Sequence, residues 1–272
     1  MSKHLSPAYQ LYSAREDASG DLEGVLEQLA RMGYEGVEFA GFFEKSAKEV
    51  KKLLKHAQLK AVSSHVPLQQ IRDDMQSVLD YHEELDCGCI AVPYLAEEDR
   101  PGAPGFARVL ETLYTFGRQC KKRGISLLYH NHDFEFAPLS GMAALDFLYA
   151  ALPASVLKTE LDTCWIRYAG QDPAAYIRRY ADRCPVVHLK DYVGDHCDTP
   201  PYALLGQEDA AAPQERPFLF KPLGAGCQDI PSLVEAARES GARWLVVEQD
   251  ESPERPALED ARLSAEHLLP LL

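Results

Sequence analysis

Short apolar runs rich in β-branched and aromatic residues alternate along the chain with longer stretches whose apolar residues recur at three- and four-residue spacing. The first pattern marks buried strands and the second amphipathic helices. Strands are predicted at 8–12, 36–39, 60–65, 89–93, 126–130, 157–162, 186–190 and 244–248. Helical periodicity fills the intervals, at 21–32, 46–58, 68–85, 105–123, 141–151, 173–183, 230–240 and 258–269. Gly33, Gly124 and Gly241 stand where helices should stop, and Asp172 with Pro173 and Asp229 with Pro231 where they should start.

Strict alternation of strand and helix implies a parallel sheet. Eight units of similar size favour an α/β fold of the closed (β/α)8 TIM-barrel type, one domain over 1–272, above an open doubly wound sheet. One segment breaks the rhythm: 193–228 is rich in Pro, Gly and acids and exceeds ordinary loop length. It is expected to be a lid over the C-terminal face of the barrel or a disordered insert, the lid being preferred.

Composition narrows the picture. With 46% apolar and 26% charged residues the chain reads as a soluble globular protein, and 272 residues can bury a core without staples. No run reaches the length of a membrane span, residues 1–15 lack the apolar centre of a signal peptide, and cytoplasm is the expectation. Seven scattered cysteines make no disulfide framework. A net charge of −14 repels phosphate backbones and anionic membranes, so neither nucleic acid nor membrane is an expected partner. A homo-oligomer stays open.

The candidate chemistry gathers at strand ends. Glu38 ends the second strand, His65 the third, and His130 with His132 the fifth. Glu160 and Asp162 end the sixth, His188 and Lys190 the seventh, and Glu248 with Asp250 the eighth. The spacing of two within 130/132, 160/162, 188/190 and 248/250 points both members of each pair to one face. Charges are not tolerated unpaired against the helix layer, so convergence on the barrel mouth is expected. His, Asp and Glu without Cys suit one divalent cation, Mn²⁺ first, with Mg²⁺, Co²⁺ or Zn²⁺ as alternatives. Glu38 and His65 are evenly balanced between site and structure. Trp165 is either core or a flat face for a sugar ring, and Gly224 with Gly226 is a weak anion-site signal.

The phrases QLYSARE (10–16), GYEGVEFAGF (33–42), YHNHDFEF (129–136), TELDTCW (159–165), VVHLKDY (186–192), PLGAGCQDI (222–230) and VVEQD (246–250) together resemble the sugar phosphate isomerase/epimerase group of the xylose isomerase-like TIM barrels. The resemblance implies proton transfer next to a carbonyl in ketoses, inososes or 3-keto sugars, with one divalent metal at the barrel mouth. It places Asp162, His188 and Glu248 as metal ligands, and puts His130 where the better known epimerases carry a glutamate. His132 is therefore a further candidate ligand. Glu248, His130, Glu160 and Lys190 are the candidate proton-transfer groups, and Gln10, Glu38, His65, Asn131 and Trp165 the candidate substrate contacts. A small sugar or cyclitol is the expected substrate and isomerisation or epimerisation the first expectation. A lyase or dehydratase using the same site, an inactive sugar binder and a DNA-repair endonuclease follow in that order.

Overall fold

The apolar runs become eight parallel strands: β1 Ser6–Gln10, β2 Gly36–Ala40, β3 Lys60–His65, β4 Cys89–Val92, β5 Ser126–His130, β6 Lys158–Asp162, β7 Val186–Leu189 and β8 Trp244–Val247. Each pairs with the next in chain order, and β8 returns to β1 to close a barrel. This computed structural model describes residues 4–194 and 218–272. The helices are α1 Arg15–Met32, α2 Ala47–Ala57, α3 Leu68–Asp73, α4 Met75–Leu85, α5 Phe106–Lys122, α6 Ala144–Ala151, α7 Thr163–Tyr168, α8 Pro173–Arg179, α9 Ile230–Glu239 and α10 Ala257–Leu268. Most of the segment expected as a lid lies outside the described residues. Its described edges, Asp191–Val193 and Leu219–Lys221, pair as an antiparallel hairpin beyond β7.

The helices differ from expectation where short polar caps overrule periodicity. The run 68–85 breaks at Asp74, whose carboxylate accepts from the Ser77 amide at 3.0 Å and so starts a new helix. Thr163–Tyr168 has the composition of a strand continuation, yet coils because Asp162 Oδ1 accepts from the amides of Cys164 and Trp165, at 2.8 and 3.1 Å. Gly33 ends α1 in the left-handed conformation, as its position implies.

Two cores share the strands. One lies between strands and helices, and the other plugs the barrel with Ala8, Val62, Cys89, Ala91, Leu128, Val186 and Val246. Two residues past Ala8, Leu128, Val186 and Val246 stand Gln10, His130, His188 and Glu248, so strand alternation aims them inward above an apolar floor. Lateral pairing matches Gln10 with Glu38, His130 with Glu160, and Asp162 with His188. A register shift between Val37 and Glu38 inserts one residue in β3. That bulge restores His65 to the inner face although Val62, three residues earlier, also faces inward.

One buried histidine of the helix layer gives a pH-dependent stability. His82 in α4 has its Nδ1 2.6 Å from the Val78 carbonyl, and burial lowers its pKa to about 4. Its folded pKa is depressed, so its neutral form contributes stability above pH 6.5 that is lost as pH falls towards 4. The unfolded chain binds the proton first. Urea unfolding at pH 7 and pH 4.5 should therefore show a steeper acid loss in the parent than in His82→Gln, by on the order of 2–3 kcal/mol.

Candidate active site

The inward polar residues meet at the C-terminal mouth of the barrel. His188 Nε2 lies 2.6 Å from Glu38 Oε2, and its Nδ1 lies 2.9 Å from Glu248 Oε2. Carboxylates only accept, so both ring nitrogens donate and His188 carries two protons. His65 Nε2 bridges Glu160 Oε1 at 2.7 Å and Glu38 Oε1 at 3.0 Å. His130 Nδ1 points to Glu160 Oε1 at 3.2 Å, which leaves Nε2 facing Asp162 Oδ2 at 3.7 Å. One donor atom each from His130, Asp162, His188 and Glu248 lie within 4.8 Å of one another, and a second such group is His65, His130, Glu160 and His188.

The electrostatics follow from this crowding. Burial alone would lower His188, but Glu38, Glu160 and Glu248 outweigh it and raise its pKa. In the same way Glu38 and Glu160 overcome burial and push His65 up to about 10. His130 goes the other way, lowered by burial and by the neighbouring His188 and His65 against the pull of Glu160. It is neutral at pH 7, with its proton on Nδ1. Burial works against ionisation of Glu160 and Glu248, yet the cations around them hold both well below the usual carboxylate range. Lys190 is kept protonated against burial by Asp250, Glu248 and Asp162, which lie 2.9, 3.2 and 3.4 Å from its Nζ.

A pocket of about 580 Å³ opens above this cluster, and His65, His130, His132, Lys190, Glu248 and Asp250 form its polar part. Glu38 and Glu160 lie beneath, as the acceptors that orient the histidines. His132 belongs to neither donor group and lines the pocket instead, its ring edge-on to Tyr94. Three of the expected substrate contacts stand behind the wall. Gln10 Oε1 accepts from the Tyr12 amide, Asn131 ties β5 to β6 by accepting from the Asp162 amide at 3.0 Å, and Trp165 is buried beneath Lys190 with Nζ 5.2 Å from its ring. The amide oxygens of Gln10 and Asn131 serve the backbone, Gln10 Nε2 is buried without a hydrogen-bond partner, and the face of the indole serves a cation. The fully buried Glu135, which sequence reasoning passed over, accepts from the Tyr129 hydroxyl and from the His132 amide at 2.8 Å, and burial raises it to about 7. Asp250 was visible as a strand-end acid, through its spacing from Glu248.

The glycines at 224 and 226 do bind an anion, but the anion is the chain's own. Amides of Gly224, Gly226 and Gln228 all donate to the Asp191 carboxylate at 3.0 Å. A Cβ on Gly226 would collide with that carboxylate. Asp191 thus fixes the turn after the hairpin, and Gln228 Nε2 in turn donates to the Lys190 carbonyl at 3.3 Å. Asp191→Ala strands these three donors and the Tyr192 amide, which donates to the same carboxylate at 2.9 Å, so the melting temperature should fall by roughly 5–10 °C, with a smaller fall for Asp191→Asn.

Comparison with known proteins agrees with this architecture. An inosose dehydratase of Clostridium beijerinckii is 22% identical over 252 residues, covering 85% of this chain and 83% of that protein. A sugar phosphate isomerase/epimerase from Parabacteroides distasonis has a crystal structure that superposes with a TM-score of 0.77 at 21% identity, covering 100% of this chain and 96% of the other. The IOLI protein, solved with a bound zinc atom, superposes with a TM-score of 0.74 at 12% identity over 98% of both chains. The family model described as xylose isomerase-like TIM barrel matches residues 26–270, nearly the whole barrel and all of its strand-end cluster from Glu38 onward. On that match, the chain belongs to the xylose isomerase-like TIM barrel family.

Proposed function

We propose that the protein is a metal-dependent lyase that removes water from a keto-cyclitol or keto-sugar. A proton leaves the carbon next to the carbonyl, a hydroxyl leaves the carbon beyond it, and a C=C bond forms between them. The observation that carries this reading is the convergence of His130, Asp162, His188 and Glu248 at the floor of a pocket large enough for a sugar.

The donor set fits a divalent cation. Five buried carboxylates, Glu38, Glu160, Asp162, Glu248 and Asp250, face one lysine and three imidazoles. Glu160 Oε2 and Asp162 Oδ2 are buried without a hydrogen-bond partner. His130 through Nε2, Asp162, His188 through Nδ1 once that nitrogen gives up its proton, and Glu248 would hold the ion, with Glu160 and Glu38 on the far nitrogens of the two imidazoles, an arrangement that fixes ligand tautomers. Oxygen and imidazole donors without thiolate suit Mn²⁺, Mg²⁺, Co²⁺ or Zn²⁺, and the zinc of the IOLI protein supports a divalent ion in a barrel of this fold. Such an ion supplies positive charge where the carbonyl oxygen becomes an oxyanion.

Glu248 is ionised and lines the pocket, so it is placed to take the proton. Lys190 Nζ, 3.2 Å from it, donates to the departing hydroxyl. Base and donor side by side suit loss of hydrogen and hydroxyl from the same face of the ring. Isomerisation and epimerisation, the first expectation from sequence, begin with the same abstraction; epimerisation then needs groups on opposite faces, and isomerisation returns the proton to the adjacent carbon. The name of the inosose dehydratase relative also favours elimination. Incubation of an inosose with the protein and Mn²⁺ should give a product lighter by one water, with the ultraviolet absorbance of a conjugated enone. Recovery of an isomer of unchanged mass would replace the lyase by an isomerase or epimerase.

A further inference from the structure

The pocket is larger and more apolar than a bare sugar requires. A single six-membered polyol ring needs on the order of 200 Å³ at the packing density of protein interiors, against about 580 Å³ here. The polar groups occupy one part of the wall. The rest is built by Tyr12, Phe42, Pro67, Pro93 and Tyr94, with Gln70 the amide beside them. Free sugars are held by dense hydrogen bonding, and this second part offers only the Tyr12 and Tyr94 hydroxyls and the Gln70 amide among apolar surface.

The aromatic wall is fixed in place. Tyr12, Phe42 and Tyr94 each stand two residues past the last residue of β1, β2 and β4, so the strands position them at one side of the mouth. Phe42 packs against Phe39 and Tyr81, with ring centroids 5.2 and 4.2 Å away. Tyr94 meets His132 and Phe134 edge-on at 5.2 and 5.6 Å, and the Arg15 guanidinium lies 4.3 Å from the centre of Tyr12. Rings already held by neighbours lose little freedom on binding a flat apolar group.

We infer that the substrate is a keto-sugar carrying an apolar, ring-sized substituent, whose sugar sits over the histidine–carboxylate cluster and whose substituent lies against Tyr12, Phe42 and Tyr94. The inference rests on the keto-sugar reading of this site and adds the class of molecule that fills the remaining space. Where the substituent is joined through oxygen to the carbon beyond the acidified one, the same elimination expels it in place of water. The C–H bond breaks, C=C forms, the C–O bond to the substituent breaks, and the released alcohol or phenol takes up a proton. No oxidant or reductant is needed.

The test compares phenyl and methyl 3-keto-β-glucoside with the Mn²⁺-loaded protein, by calorimetric binding and by turnover. The phenyl compound should bind at least tenfold more tightly, and Phe42→Ala and Tyr94→Ala should each shrink that ratio severalfold, with circular dichroism reporting an intact fold. Equal affinity for the two compounds, or a ratio unmoved in both folded variants, would overturn the inference. Absence of proton exchange from both compounds, with the binding preference intact, would overturn the lyase reading and leave the substituent site standing.

Discussion

Glu248→Gln should lower turnover of a keto-sugar or inosose by about 10³-fold or more while the protein stays folded, since a positioned base is worth roughly 10²–10⁴ and a ligand charge is lost with it. The substitution keeps shape and volume but leaves an amide where Lys190 and His188 now meet a carboxylate. The pair of effects should separate on substrate binding. Removing the base alone lowers kcat with little change in KM, whereas a lost metal also weakens binding of the carbonyl and its neighbouring hydroxyl. Single-turnover kinetics of Glu248→Gln beside Asp162→Asn, with metal content measured on the same samples, would distinguish them. Activity within a few-fold of the parent in Glu248→Gln would remove this residue from the chemistry.

Stripping the protein with a chelator should lower activity by at least about 10²-fold, with recovery on adding Mn²⁺. The same treatment should lower the melting temperature. A cation that binds the folded chain at a hundred times its dissociation constant adds about 2.7 kcal/mol, roughly 5–10 °C for a barrel of this size. The physical cause is the surplus of buried carboxylate around Lys190, His65, His130 and His188, which the ion partly offsets. Unchanged activity and melting temperature after complete removal, verified by elemental analysis, would make the enzyme metal-independent, and no turnover with or without metal would favour the inactive sugar binder.

The strands were legible because a closed barrel demands apolar runs of nearly equal length, and the i, i+2 pairs exposed which ends carry charge. His130 beside Asp162, His188 and Glu248 comes from that pattern. His65 was harder, because its inward aim depends on a bulge between β2 and β3 that leaves no mark in the alternation. Asn131 and Trp165 read as substrate contacts because polar and aromatic residues at strand ends look alike from sequence. Only the closed backbone reveals that one braces the Asp162 amide and the other lies under Lys190. Gly224 and Gly226 read as a weak anion-site signal or merely a turn, and the structure has the turn, closed on the carboxylate of Asp191 more than thirty residues away in the chain. Tyr12, Phe42 and Tyr94 escaped notice singly; a common offset from three strand ends becomes visible once those ends are known.

The most direct test is solvent deuterium exchange into an inosose and a 3-keto-glucoside in D₂O with Mn²⁺, followed by proton NMR. Proton abstraction at this site predicts deuterium at the carbon next to the carbonyl in recovered keto-sugar, or loss of that proton in the eliminated product, at a rate that collapses in Glu248→Gln. Full retention of that proton in every keto-sugar tried, with metal bound and substrate at saturation, would contradict it.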